Sequence, residues 1–138
     1  MDNILVDTNV LIDYSKGKSK LLKDLIMKQG KGEIALFTNA VIIAEFFTDK
    51  NLKHRSYLMK AYGLIKHFNV FELTKNTGLV AGKLLRDGRV NAIGDSLIAA
   101  NCLVGGLKLA TRNKKHFEKV PHLKFITVSK KPRATARG

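Results

Sequence analysis

Three carboxylates stand where apolar runs begin, end or are interrupted, in a chain with only 11 acids. Asp7 terminates the run Ile4-Leu5-Val6 and is followed by Thr8 and Asn9. Glu45 interrupts Val41-Ile42-Ile43-Ala44-Glu45-Phe46-Phe47. That segment is apolar nearly all round as a helix, so Glu45 is expected to be buried. Asp95 opens the run Asp95-Ser96-Leu97-Ile98-Ala99-Ala100. Each acid also has an ordinary reading. Asp7 and Asp95 are good helix caps, and Glu45 could reach solvent along a polar stripe with Asp49. The combination argues for more. A buried carboxylate is costly unless it is paired, hydrogen-bonded or bound to a metal. Three packed together would repel and raise one another's pKa values. A divalent cation removes that conflict, and Mg²⁺ suits it, being a hard ion held by one or two carboxylates, waters and phosphates.

A fourth segment, Thr111-Arg112-Asn113-Lys114-Lys115-His116-Phe117, follows an apolar strand-like run. Asn113 could accept from a metal-bound water or hold a neighbouring carboxylate. Arg112, Lys114 and Lys115 could meet phosphates, although a basic run is often no more than a solvated face. The four histidines, His54, His67, His116 and His122, are scattered and read as surface or packing residues.

The elements that must position these groups alternate along the chain. Strand-like runs are expected at Ile4-Leu5-Val6, Ile34 to Phe37, Val70 to Leu73, Leu107 to Ala110 and Phe125 to Val128. Their continuous apolar character suggests a sheet covered on both faces. Between them lie helical patterns. One runs from a Ser19 cap through Met27, and one over Val41 to Thr48 behind Thr38 or Asn39. A third covers Leu52 to Lys66, a fourth runs from Thr74 to Asp87, and a fifth opens at Asp95 and closes at Gly105-Gly106. A β-α-β-α order predicts a three-layer α/β domain with a mainly parallel sheet. In such sheets ligands bind beyond the carboxyl ends of the strands, which is where Asp7 falls.

The chain has 138 residues, enough for one domain with its own core. Twenty-five Lys and Arg leave a formal net charge of +14, which suggests a polyanionic partner, most plausibly nucleic acid. The lone cysteine, Cys102, excludes an intrachain disulfide and any multi-cysteine zinc site, and fits a reducing cytoplasm. No apolar run reaches the length of a membrane span, and no signal peptide is read. The expected division is a domain over residues 1–129 and a basic tail over residues 130–138.

Four pieces in order, Val6-Asp7-Thr8-Asn9-Val10-Leu11-Ile12-Asp13, Ala44-Glu45, Gly94 to Ala100, and Thr111-Arg112-Asn113 with His116-Phe117, resemble the PIN-domain ribonucleases, and most of all the VapC-type toxins of toxin–antitoxin pairs. The resemblance spans residue 3 to about residue 126. It implies a small parallel five-stranded sheet flanked by helices and an acidic Mg²⁺ or Mn²⁺ site that cleaves RNA. On that template Asp7 and Asp95 are metal ligands, and Glu45 completes the site directly or through water. The Thr8 hydroxyl steadies the site and Asn9 fixes the turn. Many members carry Asp where this chain has Asn113, so the site here is one charge short. The resemblance also implies a homodimer and a small antitoxin protein whose acidic or apolar segment covers the cleft. The Leu21-Leu22-Leu25-Ile26 stripe and the Ile42-Phe46 face could serve such contacts, although core packing is the commoner use.

The expected activity is therefore metal-assisted hydrolysis of RNA phosphodiester bonds. The alternative is a non-catalytic basic RNA-binding module whose acidic site has decayed. A receiver-like phosphorylatable domain and a DNA nuclease of the same metal-site type are further rivals.

Overall fold

Hydrophobic patterning and chain punctuation place the elements. The computed structural model describes residues 1–126. Strand β1 (Asp2–Val6) leads into helix α1 (Thr8–Ser15) and helix α2 (Leu21–Gly30). Strand β2 (Ile34–Thr38), helix α3 (Ala40–Phe46) and helix α4 (Arg55–Ile65) follow. The short strand β3 (Asn69–Val70) precedes helices α5 (Lys75–Arg86) and α6 (Ile93–Gly105), and strand β4 (Lys108–Ala110) ends the series.

The four strands form one parallel sheet in the order β3-β2-β1-β4. Register pairs Leu5 with Phe37 on one side and with Leu109 on the other. Leu5 and Val6 point to opposite faces of β1, yet both are fully buried, so both faces of the sheet are covered by helices. β1 is central, and the strand order reverses beside it, between β1 and β4. Ligands of open parallel sheets bind outside such a switch point. The residues that leave the sheet there are Asp7 and Thr111.

The fifth strand is present as an onset. Leu109 N–H donates to Lys124 C=O at 2.8 Å and Ile126 N–H to Leu109 C=O at 3.1 Å, and Phe125 bridges Leu109 in parallel. The rest of the expected strand and the whole basic tail lie outside the described residues.

Several local expectations are corrected. α3 is not buried all round: Ile42 and Phe46, one turn apart, face the core, and Glu45 is exposed. Asp95 does not open α6. Ala92 holds the extended N-cap position and Asp95 is the third helical residue, so capping does not consume its carboxylate. The Leu52 to Lys66 pattern breaks at His54, whose backbone is extended, leaving a 3-10 turn at Lys50–Lys53 before α4. The expected Ser19 cap of α2 is displaced by one residue: Lys20 holds the N-cap position without a side-chain cap, although the Ser19 hydroxyl still accepts from Leu21 N–H at 3.1 Å. At α3 and α5 the caps fall where side-chain chemistry puts them. Asn39 accepts from Ile42 N–H at 2.8 Å, and Thr74 forms a capping box with Thr77. The stripes weighed as contact surfaces largely face inward: Leu22, Leu25, Ile42 and Phe46 belong to the core. Cys102 is buried there, with its thiol pushed up to about 12 by burial, so it is not a reactive nucleophile. Among the described residues no helix is long and apolar enough to cross a membrane.

Candidate active site

β1 ends at Val6 and the chain turns at once into α1, with Asp7 as the N-cap. Asp7 N–H completes the sheet by donating to Ala110 C=O at 2.9 Å. Its side chain is buried and both oxygens accept hydrogen bonds, with a lone pair left on Oδ1: Oδ1 accepts from Thr8 N–H at 2.8 Å, and Oδ2 accepts from the Thr111 hydroxyl at 2.8 Å and from Asn9 Nδ2 at 3.4 Å. The capping and functional readings of Asp7 are thus compatible, since the cap occupies one oxygen. Burial pushes the Asp7 carboxyl up, the hydrogen bonds from Thr111 and Thr8 oppose this, and the charge of Asp95 adds to it.

Thr8 links the first two acids. Its hydroxyl donates to Glu45 Oε1 at 2.6 Å, bridging α1 and α3 across 37 positions of sequence. Glu45 also faces α6. A Cβ added at Gly94 would stand 2.8 Å from Glu45 Oε2, so the glycine is what lets the carboxylate lie against the start of that helix. Asp95 is half-buried on the first turn of α6, where the helix dipole favours an anion. Burial raises its carboxyl, with the nearby Glu45 charge adding to the rise and His116 opposing it. Asp7, Thr8, Glu45 and Asp95 are therefore gathered at the carboxyl edge of the sheet, with Asp95 electrostatically coupled to both other acids.

The segment after β4 departs from expectation. Among the described residues, the Asn113 side chain makes no hydrogen bond to a carboxylate; its backbone N–H donates to the Thr111 hydroxyl at 3.0 Å and its C=O accepts from His116 N–H at 3.0 Å. Thr111 is the residue that holds Asp7. Arg112 forms an ion pair with Asp13 at 2.9 Å, with its guanidinium largely exposed. The ammonium of Lys114 lies over the Phe125 ring, 5.5 Å from its centroid. Lys115 lines a pocket that includes Asp95. His116, read from sequence as a surface or packing residue, sits with Nδ1 3.3 Å from Asp95 Oδ2. No sequence signal singles out that pairing, because 21 positions and a strand separate the two residues.

Behind the acids lies a buried amide ladder. Asn39 Nδ2 donates to Asn101 Oδ1 at 2.6 Å, and Asn101 Nδ2 approaches Glu72 C=O and Thr77 Oγ1 at 3.4 and 3.5 Å. It ties the start of α3 to the middle of α6, and so fixes the two elements that carry Glu45 and Asp95.

Carboxylate and hydroxyl oxygens form a hard donor set, which fits a hard divalent cation. Among the described residues no three His, Cys, Asp or Glu side chains converge enough to enclose an ion unaided. Mg²⁺ is held by as few as one or two carboxylates and fills the rest of its shell with waters and substrate oxygens.

Residues 4–123 match the family model described as the PIN domain. A protein of Mycobacterium tuberculosis named Ribonuclease VapC10 is 31% identical over 137 residues, covering 95% of this chain and 99% of its own. Among solved structures, VapBC2 from Rickettsia felis, bound to a promoter DNA fragment, matches with a TM-score of 0.77 at 16% identity, covering 92% of this chain and 99% of that one. DNA-bound VapBC from Salmonella typhimurium matches with a TM-score of 0.74 at 21% identity over 91% and 98% of the two chains. VapBC-1 from nontypeable Haemophilus influenzae gives 0.71 at 22% identity over 90% and 96%. Those three likenesses carry the fold; the family model and the Mycobacterium relative carry the lineage, and on both the chain belongs to the PIN-domain family.

Proposed function

We propose that this protein is a divalent-metal-dependent endoribonuclease and the toxin of a toxin–antitoxin pair. The observation that carries the reading is the convergence of Asp7, Thr8, Glu45 and Asp95 at the strand-order switch of a PIN fold. The name of the Mycobacterium relative and its full-length similarity support the ribonuclease assignment.

Asp7 and Asp95 would hold Mg²⁺ or Mn²⁺, with Glu45 completing the shell directly or through water. When bound, the ion supplies charge neutralisation and Lewis-acid polarisation of the phosphodiester. The protein's own part is positioning. Thr111 and the Thr8 N–H keep Asp7 oriented, and the Thr8 hydroxyl occupies one oxygen of Glu45. The other Glu45 oxygen is left to orient a water and accept its proton as that water adds to phosphorus and an ester oxygen departs. The positive surface of the chain holds the RNA backbone, so affinity falls steeply with salt. Backbone contacts select no sequence, and choice of target falls to RNA shape and unpaired bases.

Two protein partners belong to the same reading: a second copy of the chain and a small antitoxin. A groove of about 760 Å³, lined in part by Tyr14, Phe46, Leu52, Tyr57 and Leu64, has room for an apolar segment of such a partner. Sedimentation of a clean monomer at high concentration would remove the homodimer.

The deciding experiment incubates total RNA with the protein and Mg²⁺, Mn²⁺ or EDTA, beside Asp7→Asn and Asp95→Asn. Discrete EDTA-sensitive products, lost in both variants, are expected. Salt-sensitive RNA binding without any cleavage would shift the assignment to a non-catalytic RNA-binding module.

A further inference from the structure

A second pocket, of about 370 Å³, opens between the loop joining α5 to α6 and the turn after β4. It shares Asp95 with the acidic site, and its walls include Arg89, Asn91, Lys115, His116 and Lys119. We propose that this pocket holds the single unpaired nucleotide that flanks the cleaved phosphate of the RNA, an inference that rests on the ribonuclease reading above.

Charge is the first argument. Arg89, Lys115 and Lys119 face only two acids in the lining, Asp95 and Glu118. Among the described residues none of the three cations is in an ion pair, whereas Arg112 is committed to Asp13. Lys114 is stacked over Phe125. The basic groups beside Asp95 are therefore those of the pocket, and not the whole run after β4. Cations next to a carboxylate proposed as a metal ligand suit a phosphate oxygen adjacent to the reacting one.

Size and chemistry of the walls supply the second argument. The volume lies at the low end of the range for small-molecule sites, which suits one nucleotide and not a stretch of strand. The exposed Asn91 amide offers a donor and an acceptor to a base edge, and the exposed His116 ring offers a face for stacking. Specific RNA recognition works on such splayed, unpaired bases. The loop is shaped for this opening: Gly88 takes φ +69°, and Val90 anchors the loop in the core.

The test measures binding in EDTA, so that hydrolysis plays no part. Arg89→Ala/Lys119→Ala is compared with Lys23→Ala/Lys28→Ala, which removes equal charge from α2, a helix that contributes no residue to the pocket. All four side chains are exposed, so both variants are expected to fold like wild type. A fluorescent single-stranded RNA of mixed sequence is titrated over a salt series. The pocket variant is expected to lose on the order of tenfold in affinity, and its log–log salt slope to flatten by about 1.4 for two lost phosphate contacts. The control should change little. In wild type, the His116 ring resonances should shift when a nucleoside 5′-monophosphate is added, and stay in place in the pocket variant. Equal weakening of both variants, or an unmoved His116, would overturn the pocket. Failure of the nuclease reading shows differently, as wild-type RNA that is bound through these residues yet never cut with Mg²⁺ or Mn²⁺.

Discussion

The hydroxyl of Thr111 donates a 2.8 Å hydrogen bond to Asp7 Oδ2, joining residues that are 104 positions apart and leave neighbouring strands of the sheet. Thr111 Oγ1 itself accepts from Asn113 N–H at 3.0 Å, so Thr111 both holds the central acid and shapes the turn that follows β4. Thr111→Val keeps the shape and removes both bonds. We expect a loss of about 1–3 kcal/mol in denaturant unfolding and weaker Mn²⁺ binding by calorimetry, because a buried carboxylate oxygen loses its strongest side-chain donor. Serine at this position should restore most of both.

Burial raises the Asp7 carboxyl above its ordinary value, so the ionised group destabilises the metal-free fold at neutral pH. The penalty is present above the folded pKa and fades as pH falls through it towards the unfolded value. Asp7→Asn should therefore melt no lower than wild type at pH 7 in EDTA, with any advantage vanishing near pH 4. Excess divalent metal inverts the order. Ion at a hundredfold its Kd stabilises wild type by about 2.7 kcal/mol and leaves the variant unmoved. A variant that melts well below wild type in EDTA would show that the hydrogen bonds to Asp7 outweigh its burial.

Gly94 faces Glu45 so closely that a methyl group there would meet Oε2 at 2.8 Å. The far end of an exposed glutamate can move, so Gly94→Ala should fold normally, helped by up to ~1 kcal/mol of helix propensity. The displaced carboxylate is what fails. Cleavage should drop on the order of 10²-fold, as for a misplaced catalytic group, with thermal stability within error of wild type or above it.

Asn39 caps α3 with one atom of its amide and reaches Asn101 with the other. Both side chains are fully buried. Asn39→Ala removes the cap and leaves Asn101 short of a partner, and urea unfolding should report a loss of about 2 kcal/mol or more. Because the ladder joins the helices that carry Glu45 and Asp95, the surviving folded enzyme should also cleave more slowly at saturating metal.

Much of this molecule is legible in the chain because the physics involved is local. Apolar runs of strand length, Thr74 and Asn39 at helix starts, and glycines at helix ends mark elements through backbone chemistry that acts within a few residues. They sufficed for an α/β domain with a parallel sheet and for Asp7 at a carboxyl edge. The acids themselves stood out because so few occur in so basic a chain. Tertiary structure decided which groups meet. The β3-β2-β1-β4 order brings Thr111 to Asp7, and the packing of α3 against α1 and α6 sets Glu45 beside Thr8 and Gly94. The helix start at Ile93, two residues ahead of the expected one, left Asp95 uncapped and within reach of His116. Asp13, an acid with no assigned part, pairs with Arg112 from 99 positions away. These are pairings between distant segments, set by packing and by the twist and order of the sheet, and no short-range pattern encodes them.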